Sequence, residues 1–201
     1  MNTEEKRIGN YLIEIIQDDY TESPREWDNL GTMICFHSGY NLGDKHDYQF
    51  YDYDSWDEQR KDIEKKENSC VILPLFIYEH SGITISTSPF SCTYDSRQLG
   101  WIVVSKEKVR KEYGVKRINK ELIEKVTNIL KDEVKTYDQY ITGDVYGYRV
   151  SKVTECELGH EHKEEVDSCW GYYGVEECMT EGESVVNYYL TKVPVQEEMN
   201  R

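Results

Sequence analysis

The strongest constraint on this 201-residue chain is one long amphipathic period. Across residues 119–141, Leu122, Val126, Ile129, Leu130, Val134, Tyr137 and Ile141 recur at steps of three and four, which places them on one face of a helix. Asn119 stands where a cap is needed and Gly143 where the helix must stop. A helix with a single apolar stripe has to bury that stripe against another layer, and the remaining sequence supplies strands for it.

YLIEIIQ (11–17), TMICFH (32–37) and WIVVS (101–105) have strand patterns, and SCVILPLFIY (69–78) is the most apolar run. Pro74 inside that run removes a ladder donor and demands a bulge or an edge position. HSGITISTSP turns at Ser81-Gly82 and returns as the second arm of a hairpin. GDVYGYRVSKVTECE and VDSCWGYYG are two further strands joined by a charged, histidine-containing turn. Residues 55–67 form a solvent-facing helix, and KEKVRKEYG a shorter one opened by Ser105 and closed by Gly114. VVNYYLTKV, beyond Gly174, suits either a strand or a short helix. Strands outnumber helices without alternating with them, so the expected class is α+β, a largely antiparallel sheet backed by one long helix. Without repeats or a Ser/Gly linker, residues 1–174 are expected as one domain and 175–201 as an acidic C-terminal extension.

Composition narrows the function. Net charge is −15, from 24 basic and 39 acidic residues. That excludes broad phosphate-backbone binding and attraction to an anionic membrane, so neither direct nucleic-acid binding nor membrane binding is expected. A host protein with a basic surface fits better. Seventeen tyrosines pack their rings while keeping hydroxyls wet. MNTEEKRIGNYL lacks a signal-peptide hydrophobic core, so a cytoplasmic location with its six cysteines reduced is expected.

Several strings are long and specific: ESPREWDNLGTMICFHSGYNLGDKH, VILPLFIYEHSGITISTSPFSCTYDSRQLGWIVVSKEKVRKEYGVKRI, TYDQYITGDVYGY and VDSCWGYYG. Over roughly residues 20–174 the chain resembles a family of small proteins of phages, prophages and other mobile elements. The resemblance implies an accessory protein acting non-enzymatically on a host factor, such as an inhibitor of a defence system of the anti-CRISPR or DNA-mimic type. Similar proteins carry a denser cysteine cluster near position 156, where this chain has ECELGHEH.

Four constellations bear chemistry, each with a plainer reading beside it. Asp28, Asn29, His37 and Asp44, with His46 nearby, would line a pocket among glycines 31, 39 and 43, while turn chemistry alone also gathers Asp, Asn and Gly. His80, Cys92 and Asp95 would make a base, nucleophile and orienting acid, with Arg97 clamping an anion, although lone cysteines are usually small core residues. These loops support the alternative function, a small-ligand binder or a metal- or cysteine-dependent enzyme. Cys156, His160, His162 and Cys169 offer zinc donors without a Cys-x-x-Cys pair; no cofactor is expected, and zinc is the one candidate. Asp47, Asp52, Asp54, Asp57 and Glu58, interleaved with Tyr48, Tyr51 and Tyr53, would form an acidic docking face, against the plainer reading of a solvated surface. A second acidic set spans Glu155 to Asp167.

Overall fold

The computed structural model describes residues 4–92 and 94–192. In chain order its elements are β1 (Glu4–Ile8), β2 (Tyr11–Gln17), β3 (Thr32–Cys35), α1 (Trp56–Lys66), β4 (Ser69–Glu79), β5 (Ile83–Ser86) and β6 (Ser96–Ser105). They continue as α2 (Lys106–Tyr113), α3 (Lys120–Thr142), β7 (Val145–Glu155), β8 (Glu161–Tyr173) and α4 (Val175–Lys192). The class is α+β, and every strand pairing is antiparallel. The strands form two four-stranded sheets rather than one.

The chain divides into two compact units, residues 22–142 and a second unit of 4–21 with 143–192. This departs from the single domain expected over 1–174. The boundaries fall at Thr21 and Thr142, directly beside turns and a helix end, so no shift in composition marks them.

In the unit of residues 22–142 the sheet order is β3-β6-β4-β5. Strand alternation sends Met33 and Cys35 to one face and Ile34 and Phe36 to the other. On the first face Met33, Leu75, Ile77, Leu99 and Ile102 pack with Val126, Leu130, Val134 and Tyr137 of α3. The long helix thus backs the sheet with the stripe that its period defines. On the opposite face Ile34, Trp101 and Val103 meet Ile63 of α1, flanked by Phe36, Tyr48 and Trp56. Ile63 is fully buried, worth roughly 1.5–3 kcal/mol. Strand β6 lies inside the sheet, is covered on both faces and is therefore the most continuously buried strand. Pro74 sits next to a register shift at Leu75/Phe76, on a stretch where β5 does not reach, which meets its need for a bulge or an edge.

In the other unit the sheet order is β1-β2-β7-β8, with α4 covering Tyr11, Ile13, Ile15, Tyr148 and Val150 through Cys178 and Val186. The extension expected at 175–201 is thus an ordered, packed helix as far as Lys192, and residues 193–201 lie outside those described. Gly182 makes that packing possible, because a Cβ there would stand 2.7 Å from Ile13 Cγ2. No helix among the described residues is long and apolar enough to cross a membrane.

Candidate functional site

The glycine-rich stretch 21–46 is first of all a tie. Ser23 caps a short 3-10 turn at Pro24–Glu26 and aims Arg25 inward. The Arg25 side chain is only 5% exposed; it donates to Asp44 through Nε (3.0 Å) and Nη2 (2.5 Å), and to the Gly31 carbonyl (2.8 Å). Its Nη1 lies 3.3 Å from Glu133, whose carboxylate also accepts from the backbone N–H groups of Leu30 and Gly31. Asp44 accepts from Met33 N–H as well, and its own N–H bonds back to Met33 O. Burial opposes charge on Arg25, but Asp44 and Glu133 outweigh it and hold the guanidinium above its ordinary value. Burial, with Asp44 adding, pushes the adjacent Cys35 thiol up to about 12. Gly43 is required at φ +72, where a Cβ would stand 2.7 Å from both Cys35 Sγ and Met33 O.

This arrangement separates the first constellation. Asp44 is consumed by Arg25, Asn29 closes its own turn by donating to Pro24 and Trp27 carbonyls, and Asp28 is exposed. His37 goes elsewhere. Its Nδ1 accepts two backbone N–H groups, from Gly39 and Tyr40, each at 2.9 Å, which fixes the Nε2–H tautomer. Nε2 then donates to Glu79 Oε1 at 3.1 Å. Arg97 pairs with the other Glu79 oxygen and approaches the same imidazole nitrogen at 2.7 Å. His37 and Arg97, expected from different constellations, thus share a carboxylate that neither contained.

The nucleophilic set is brought together with the acid, not the imidazole, beside the thiol. Asp95 Oδ2 lies 3.5 Å from Cys92 Sγ and 3.7 Å from His80 Nδ1, so the carboxylate stands between thiol and imidazole. The thiol therefore faces the carboxylate rather than the imidazole.

The zinc quartet does not assemble. Strand register pairs His162 with Thr154 near the turn and Cys169 with Tyr148, seven residues further along β8, or about 23 Å. Among the described residues no group of three His, Cys, Asp or Glu side chains is placed to hold a metal. Cys156 instead sits in the turn, where backbone N–H groups of His160 and Leu158 lower its thiol below the ordinary value.

The acidic stretch 45–58 behaves differently from everything above. Ser55 caps α1 by accepting from Glu58 N–H, and Glu58 accepts from Asp54 N–H, so the acids begin where the helix dipole favours them. Gln59, buried one turn on, accepts from the Trp101 indole N–H at 2.8 Å and fastens the segment to the sheet. Phe36, Phe50, Trp56 and Trp101 then pack at ring-centroid distances of 5.4–6.2 Å, Phe36 and Phe50 tilted and the other pairs edge to face. Two concavities flank Tyr48. One of about 570 Å³ is lined by Phe36, Phe50, Tyr51 and Trp56, with His37 and Arg97 at its edge. The other, about 460 Å³, is lined by Tyr48, Tyr53, Asp47, Asp52, Lys66 and Glu67. Burial, then Glu67, raises the Tyr48 phenol, so its hydroxyl stays a donor to that carboxylate.

Asp47, Asp52, Asp54, Asp57 and Glu58 are all exposed, and among the described residues none forms a salt bridge. Half of the second acidic set is spoken for: Glu161 pairs with Arg7, Glu165 with Arg149, and Asp167 accepts from Tyr148.

No protein-family model, no curated protein and no solved structure matches this chain.

Sequence reasoning missed Arg25, Glu133, Glu79 and Gln59. Two left a signal. Glu133 lies on the apolar face of α3, three residues after Leu130, and Gln59 lies four before Ile63; a polar group at a core position requires a partner.

Proposed function

We propose that the protein is a non-enzymatic binding protein that docks a basic host protein through the acidic, aromatic segment 45–58. In keeping with the resemblance to mobile-element proteins, it acts in the cytoplasm as an accessory factor that blunts a host defence system. One observation carries this reading: five exposed acids on one loop and helix start have no salt-bridge partner among the described residues, beside exposed Phe50 and Tyr51. Unpaired carboxylates steer a cationic surface, and exposed rings supply the desolvated contact that charge alone does not. The test is capture from host lysate at low salt, with release at about 0.5 M salt, where screening falls to a few ångströms. A variant with all five acids changed to Asn or Gln must lose the captured protein. No salt-releasable partner, or equal capture by the variant, overturns the proposal.

A second reading draws on the aromatic concavity of about 570 Å³, a size that suits a small ligand, with the Arg97–Glu79–His37 network at its edge. Arg97→Ala abolishing a ligand-induced rise in melting temperature, in a screen of small polar aromatics, would favour it.

A further inference from the structure

The cleft of about 460 Å³ beside Tyr48 has an unusual lining for a surface depression. Two tyrosine rings are locked by their own hydroxyls, Tyr48 donating to Glu67 at 2.7 Å and Tyr53 to Asp62 at 2.6 Å. Rings held this way lose no rotamer freedom on binding, and their faces attract cations. One cation is already there: Lys66 Nζ lies 5.4 Å from the Tyr48 ring centroid, its charge matched by Asp62 at 2.7 Å. Asp47 and Asp52 line the same cleft without a salt bridge among the described residues, so the site attracts a second positive charge against the single remaining lysine of its lining, Lys45.

Resting on the binding reading above, we infer that this cleft takes an arginine side chain of the basic partner, its guanidinium laid against the tyrosine rings and held by Asp47 and Asp52. Arginine fits better than lysine. A planar guanidinium stacks on a ring and reaches a carboxylate in the same plane, and it sheds water more easily than a compact ammonium.

The probe is the pentapeptide acetyl-Gly-Arg-Gly-Arg-Gly-amide, titrated at low salt into the full chain and followed by amide chemical shifts. Its lysine and citrulline counterparts serve as controls. Shifts concentrated at residues 45–53 and 66–67 are expected, weaker with lysine and absent with citrulline. Asp52→Asn and Tyr48→Leu should each weaken binding about three- to five-fold. Should Tyr48→Leu fail to fold, Tyr48→Phe, which keeps the ring, must retain binding while Asp52→Asn weakens it. Shifts confined to residues 54–64 and indifferent to the tyrosine overturn the cleft while leaving the acidic docking face intact. No shift with any peptide overturns the cleft as well, and the lysate capture then judges the docking face by itself.

Discussion

Residues 23–44 and 45–58 are neighbours in sequence, share a taste for Asp and aromatic residues, and do opposite things. In the first, the carboxylate of Asp44 and that of Glu133 on α3 surround a buried guanidinium and also accept from the backbone N–H groups of Met33, Leu30 and Gly31. In the second, acids of the same chemistry face water without a salt bridge among the described residues, beside exposed rings. Residue type therefore does not distinguish frame from site. The distinction lies in whether the partner is supplied by the same chain.

Arg25→Met attacks the contrast most directly. It leaves Asp44 and Glu133 buried without their cation and should cost about 3–5 kcal/mol, measured by urea denaturation. A loss below about 1 kcal/mol would mean that the frame is wet and the contrast false. Next in size is Gln59→Leu, which orphans the Trp101 indole N–H and should cost about 1–3 kcal/mol, with a change in tryptophan emission. On the acidic side, Asp47→Asn, Asp52→Asn and Asp57→Asn should each move stability by less than about 0.5 kcal/mol while cutting salt-releasable capture. A large destabilisation from any of them would place that residue with the frame.

The smallest effect is a pH signature at the seam between the two. The hydrogen bonds from Lys66 and Tyr53 hold the Asp62 carboxyl below its ordinary value of 3.8. A depressed carboxyl stabilises the folded state fully above the ordinary value and loses that contribution as pH falls through the folded one. The gap between wild type and Asp62→Asn should therefore stay constant at neutral pH and close in acid below 3.8, read from urea midpoints. A gap that widens on acidification would show that Asp62 is not held by this pair.

What was legible in the sequence follows the reach of each signal. The α3 stripe, the Ser55 and Ser105 caps and the Ser81-Gly82 hairpin are local, and the structure has them where periodicity and turn chemistry require. Strand β1 has no apolar alternation and exists because its partner β2 offers an edge, which no window over residues 4–8 reveals. Helix α4 was blurred by Gly182 and by Val185-Val186, since a glycine kept for close packing looks like a breaker. Two sheets emerge instead of one because β2 pairs with β7 across more than a hundred residues of intervening chain. Among site residues, His37 and Arg97 were visible as types, but the register of β4 against β6 chose Glu79 as their shared partner. The same kind of fact dispersed the zinc quartet, because a strand's register decides which residues of a hairpin meet.

The hydrogen bond from Trp101 to Gln59 has a practical corollary. Trp101 and Trp56 stand 6.2 Å apart beneath the acidic segment, one indole fastened to the helix that begins there and the other within the aromatic wall. The molecule thus carries its own optical gauge: a visitor that settles against those rings alters their emission without any label, and a titration can be followed in a cuvette.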